Sequence, residues 1–278
     1  MPFTVSHAAA AAPLQWAARR RLILSALIIG TFTPDMEYFI FLETRRTLGH
    51  SLPGLIVMDV PIGLVMLFLW HGFLKRPFAL LAPASVSTRI HALAREPFAW
   101  GPAARFAEIV FALWIGALSH VAWDSFTHWW GYFPRHFPIL RETVLVVGSN
   151  HVAACRLLQY ASSLFGLAFI TWWAARAIRP LPRAPIPETE RLSAAYKILA
   201  WCAVALLGVW GGLANALESG APMTWAVWES RFVVRGIVGT ISAAMVASLL
   251  VAGLVHLRAP RRGVRLAGAP AGGDEGRA

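Results

Sequence analysis

Apolar positions fall into long, almost unbroken runs. Residues 198–217 and 236–255 each give twenty residues without a charge, and residues 157–175 give nineteen more. A helix needs about 20 such residues to cross the hydrocarbon of a bilayer. Residues 22–42, 51–74 and 106–130 are long enough too, but acids or histidines interrupt them. The pattern predicts an all-α, polytopic transmembrane bundle of about six spanning helices. Residues 2–18 also lack charge and contain Pro13, so they read as an N-terminal re-entrant or interfacial helix. Four prolines between 179 and 190 mark a stiff connector. The expected organisation is a membrane domain over 1–178, which holds the polar cluster described below. A Pro-rich cytoplasmic connector follows at 179–194, then two further membrane helices at 195–257 and a disordered basic tail at 258–278.

Composition agrees with this pattern. The 278 residues are 57% hydrophobic and only 14% charged, against about 45–50% and about 25% in soluble chains. The net charge of +11 would suggest a nucleic-acid partner in a soluble protein. Its distribution points elsewhere. With six spans, eighteen basic residues fall on the N-terminal side, in 19–21, 75–105, 176–197 and the tail from 258. Five fall opposite: Arg45, Arg46, Arg135, Arg141 and Arg231. That asymmetry follows the positive-inside rule, with both termini cytoplasmic in a bacterial inner membrane. The partner is then the lipid bilayer, with basic segments on anionic lipid and no nucleic acid. The first apolar run ends in Thr33-Pro34-Asp35 rather than a small-residue cleavage site, so the first helix is expected to be retained. Cys155 and Cys202 both sit in apolar stretches, which excludes a disulfide framework or a cysteine zinc knuckle.

Ionisable groups inside a membrane are costly and so mark candidate function. They concentrate in the first three spans. His120 and Asp124 are four apart, about 6 Å along one helix face, where an imidazole and a carboxylate can reach one ion. His128 is four further on and on the same side, about 12 Å from His120 by the helical rise, too far for all three to bind one ion. That suits a second-site ligand or a partner of the first ligands. Asp35 follows Pro34, which frees backbone groups in the first span. His50 begins the second span, Asp59 precedes Pro61 within it, and these groups share one depth on the outer side. Each acid alone is equally explained as a buried hydrogen-bonded carboxylate or cap. Glu37 reads as structural. His7 lies across the membrane from the others unless the N-terminal segment dips into the bilayer. In the fourth span Arg156 and Gln159 share a face and suit an anionic oxygen such as a phosphodiester; a snorkelling arginine explains Arg156 equally well. The fourth helix is expected to begin at His151. Gly208 and Gly212 form a small-residue packing face.

The sequence resembles a bacterial family of multi-pass membrane proteins of unknown function. The likeness rests on an opening Met1-Pro-Phe-Thr-x-Ser6-His7, on Pro34-Asp35-x-x-Tyr38-Phe39 and on His50-Ser51-x-x-Gly54-x-x-x-x-Asp59-x-Pro61. Ser119-His120-x-x-Trp123-Asp124-Ser125-x-Thr127-His128 and Leu157-Leu158-Gln159 follow in order, within residues 1–175. That family is similar in turn to membrane-bound metal-dependent hydrolases. The resemblance implies a metal site on His7, Asp35, His50, His120 and Asp124. The chain departs from the hydrolases at Met36-Glu37, where a second aspartate is usual, and at Gly49, where an arginine commonly precedes the His-Ser.

The expectation is an inner-membrane protein with one divalent metal, zinc before manganese or iron, that hydrolyses a lipid or lipid-linked phosphoester. Asp59 or His128 would act as base, with Arg156 and Gln159 binding substrate. A proton or metal transporter built on the same groups is the alternative, as is a non-catalytic scaffold whose polar cluster orients helices. A haem held between His120 and His151 is a weaker reading.

Overall fold

A computed structural model describes residues 4–43, 48–147, 150–218 and 232–259. Arg45, Arg46, Arg231 and the tail beyond residue 259 lie outside the described residues. The chain opens with a 3-10 turn over Thr4–Ala10 that leads into helix α1, Ala11–Ala17. Then come α2, Leu24–Gly30, and α3, Met36–Phe41. Next are α4, Leu52–Leu81, α5, Ala84–Arg95, α6, Ala103–Thr127, and α7, Tyr132–His136. A two-stranded antiparallel hairpin, β1 (Thr143–Val147) and β2 (Asn150–Ala153), precedes α8, Ala154–Ile178. Helices α9, Ala194–Leu217, and α10, Val234–Arg258, complete the described chain.

The protein is an α-helical membrane bundle. Among the described residues five helices are long and apolar enough to cross a membrane. The first apolar run is the exception. It is broken into α2 and α3 around a 3-10 turn at Thr33–Asp35. Pro34 has no amide hydrogen to donate, and the Thr33 hydroxyl bonds the Gly30 carbonyl instead, at 2.9 Å. Phenylalanines, tryptophans and leucines such as Phe165, Trp172, Leu206 and Trp210 are exposed on the helix flanks, the surface a lipid solvent would cover.

Two contacts set the geometry of the first helices. Helices α2 and α6 meet backbone to backbone, because a Cβ on Gly30 would collide with the Leu113 carbonyl and one on Gly116 with that of Leu27. Around this crossing Ala26, Ile29, Val60, Leu67, Ile109 and Leu113 form a core shared by α2, α4 and α6. The N-terminal turn lies against α8, where Gly166 leaves room for the backbone of Ser6.

Helices α9 and α10 form a close pair, with Gly212 of the expected packing face against Thr240. The pair docks on α3 through Met36, Tyr38, Phe39 and Val238. Asn215 adds a polar tie. Its amide donates to the carbonyls of Leu42 and Arg235, and Arg235 donates back to its side chain at 2.9 Å. The proline-rich connector is fastened to α5. Arg89 donates to the Arg179 carbonyl at 2.8 Å, and Arg95 meets Glu190 at 2.9 Å. Buried Arg76 of α4 holds the same glutamate at 3.2 Å.

Candidate metal centre

The break between α2 and α3 creates the first element of the site. The Asp35 amide bonds Phe32 rather than Thr31, as the 3-10 turn requires. The Thr31 carbonyl is thereby released from the helix ladder and accepts from His120 Nδ1 at 2.7 Å. A carbonyl can only accept, so the proton is on Nδ1 and the lone pair of His120 is on Nε2. That nitrogen is buried and has no hydrogen-bond partner among the described residues.

Four other side chains converge on it. His120 Nε2 lies 3.6 Å from Asp35 Oδ1 and 3.7 Å from Asp124 Oδ2. His50 Nε2 lies 3.6 and 3.7 Å from the same two oxygens. His7 stacks on His120 with ring centroids 3.7 Å apart, and its Nε2 is 3.5 Å from Asp124 Oδ1. The side chains of His7, Asp35, His50, His120 and Asp124 are each no more than 6% exposed.

These separations are too long for hydrogen bonds. They approach the roughly 3.4 Å edge of a tetrahedron whose donors sit about 2.1 Å from a zinc-sized ion. Two triads have donor atoms within 4.8 Å of one another: His7, His120 and Asp124, and Asp35, His50 and His120. They share His120, which has only Nε2 left to give, so they describe one centre rather than two. The donor set of three imidazoles and two carboxylates can hold a divalent ion, and the unpartnered nitrogens of His120 and His7 fit that group.

The other expected residues stand in different relations to this centre. His128 follows the last residue of α6 in extended conformation, with φ −109° and ψ 135°. The helix does not continue, so the 12 Å separation expected from helical rise does not apply. Its ring turns back until Nδ1 is 3.5 Å from Asp124 Oδ2. Asp59 is 1% exposed at the end of a π-helical turn, Leu55–Asp59, just before Pro61. Both its carboxylate oxygens lack hydrogen-bond partners among the described residues. Glu37 takes the structural part expected of it, accepting the backbone amides of Leu48 and Gly49, the turn that delivers His50. Gln159 is buried on α8. Arg156 is exposed on the same helix and makes no hydrogen bond or ion pair with the cluster among the described residues.

Helix α8 begins at Ala154 rather than at His151, which lies exposed on β2. The hairpin was not anticipated, although the β-branched run Thr143–Val147 is a strand signal. Sequence reasoning also missed Thr4, whose hydroxyl donates to Asp35 Oδ2 at 2.6 Å, and the Thr31 carbonyl.

Fold and site together define a polytopic helical membrane protein with a buried histidine–carboxylate cluster. The chain matches, over residues 1–253, the family model described as domain of unknown function DUF4184, and it belongs to that family. No curated protein and no solved structure matches it.

Proposed function

We propose that this is a membrane-embedded metal-binding protein. One divalent ion, zinc in the first instance, is held by His7, Asp35, His50, His120 and Asp124. The observation that carries this reading is the buried Nε2 of His120. Its tautomer is fixed by Thr31, two carboxylates face it at 3.6 and 3.7 Å, and the His7 ring stacks on the His120 ring. The five donors come from the N-terminal turn, the α2–α3 break, the start of α4 and the end of α6. An ion there joins four segments that the apolar core holds only in part. Enclosure of every donor favours an ion that is a fixed part of the bundle. The chelated protein should therefore melt at lower temperature than the metal-loaded one, by the linkage expected when a ligand binds only the folded state. Equal melting temperatures with and without chelator would overturn the scaffold reading.

A second reading, hydrolysis of a lipid or lipid-linked phosphoester, is favoured by Asp59. A buried carboxylate with no hydrogen-bond partner among the described residues is a group available to move a proton. In that reading the ion supplies Lewis acidity at the ester. Asp59 or His128 accepts the proton of the attacking water, and Arg156, with Gln159 beside it on α8, holds the anionic oxygen. Incubating metal-loaded protein with a panel of phospholipids and lipid-linked phosphoesters tests it. Product that vanishes in Asp59→Asn, with metal retained, supports hydrolysis. Reconstituted vesicles that pass metal or protons without any product would instead favour a transporter. We assign the site to the outer half of a bacterial inner membrane, with both termini cytoplasmic, on the strength of the basic-residue asymmetry.

A further inference from the structure

The N-terminal turn brings a second group to the centre besides His7. Thr4 lies one turn upstream of His7 in the same 3-10 segment and is buried. Its hydroxyl donates to Asp35 Oδ2 at 2.6 Å, across 31 positions of sequence. The other oxygen of that carboxylate, Oδ1, is the one that lies 3.6 Å from both His50 Nε2 and His120 Nε2. An aspartate's terminal torsion is broad and roughly two-fold. Without a second contact, the Asp35 carboxylate could turn its edge away from the imidazoles. The short charge-assisted bond to Oδ2 removes that freedom, and the β-branched threonine is itself stiff about χ1.

Ser6, two residues on, has a different task. Its hydroxyl donates to the Ser163 carbonyl of α8 at 3.0 Å and so ties down the turn without touching Asp35.

We propose that Thr4 is a positioning residue of the metal centre, acting through Asp35 by holding Oδ2 so that Oδ1 faces the imidazoles. This rests on the reading of the cluster as a metal site. The side chains that orient a metal's ligands typically change affinity 10- to 100-fold when removed.

The test is a cobalt(II) titration of the full chain in detergent, following affinity and the visible absorption of the bound ion. Thr4→Val keeps shape and loses the hydroxyl, Thr4→Ser restores the hydroxyl, and Ser6→Ala loosens the turn alone. The expected result is a 10- to 100-fold loss of cobalt affinity and an altered spectrum in Thr4→Val. Thr4→Ser and Ser6→Ala should stay near wild type. If Thr4→Val is not recovered folded, Thr4→Ala replaces it in the same comparison. Wild-type cobalt affinity in Thr4→Val, a loss in Ser6→Ala as large as in Thr4→Val, or failure of serine to rescue would each overturn the proposal. A wild type that binds no cobalt would overturn the metal reading beneath it, an outcome distinct from any difference among variants.

Discussion

A histidine whose Nδ1 is committed to a carbonyl has one lone pair left to offer, and the Nε2 of His120 that carries it lies 3.6 Å from Asp35 Oδ1 and 3.7 Å from Asp124 Oδ2, with the His7 ring stacked on its own. The i,i+4 pair with Asp124 was legible in sequence because helical geometry fixes it. So were Asp35, His50 and Asp59 as buried acids and bases of one neighbourhood. His7 was legible only as an option, since nothing in the pattern says whether an uncharged N-terminal segment dips into the bilayer. The packing of Ser6 against Gly166 and Ser163 brings it in. Thr4 and the Thr31 carbonyl left no periodic trace, although Pro34 was the signal that some carbonyl nearby would be free. At this scale the site predicts a clean separation. His128→Phe should keep the metal, because the ring contacts Asp124 from outside the triads and its place beside Trp130 can be filled by another aromatic. Asp124→Asn should weaken metal binding strongly, because an amide is a poorer donor than a carboxylate. Metal content after dialysis reads both; equal loss in the two variants would mean that His128 is itself a ligand.

At the scale of elements the instructive case is the first apolar run. Its length and hydropathy suggested one spanning helix. The structure keeps its place in the bundle but divides it into α2 and α3, because Pro34 removes a backbone donor and the hydroxyls of Thr31 and Thr33 bond the carbonyls of Ile28 and Gly30. Length alone could not reveal this, since hydropathy is blind to where a helix is interrupted. The α2–α6 crossing is similarly a matter of contact rather than pattern. Gly116→Leu should force these backbones apart and destabilise the bundle by about 1–3 kcal/mol, the usual range for overpacking. Gly72→Ala is the control, because its added Cβ would meet no atom within 4 Å. Thermal unfolding in detergent should show a lowered midpoint for the first variant and an unchanged or slightly raised one for the second. A destabilised Gly72→Ala with an unaffected Gly116→Leu would contradict the packing described for α2 and α6.

On the scale of the whole molecule, charge and core answer different questions. The basic residues at 19–21, 75–105 and 176–197 predict which face is cytoplasmic. Cysteines replacing Ser85 and Pro185 should therefore stay unlabelled by an impermeant thiol reagent in intact cells, while one replacing His136 is labelled. The inverse pattern would move the metal centre to the cytoplasmic half. The interruption between α8, which ends at Ile178, and α9, which begins at Ala194, was legible from the connector's prolines. What the prolines did not reveal is that Arg76, Arg89 and Arg95 pin the connector, or that Asn215 and Met36 fasten the α9–α10 pair to the broken helix beside the cluster. Such ties join residues far apart in sequence and depend on the assembled bundle. The claim at the centre of all three scales is that five side chains from four membrane segments hold one ion. Elemental analysis of detergent-purified wild type beside His120→Ala and Asp124→Ala tests it most directly. About one divalent ion per wild-type chain is expected, as for a single protein-ligated site, with loss of that ion in both variants while helical content is unchanged. A wild type without metal, or variants that retain it in full, would contradict the account.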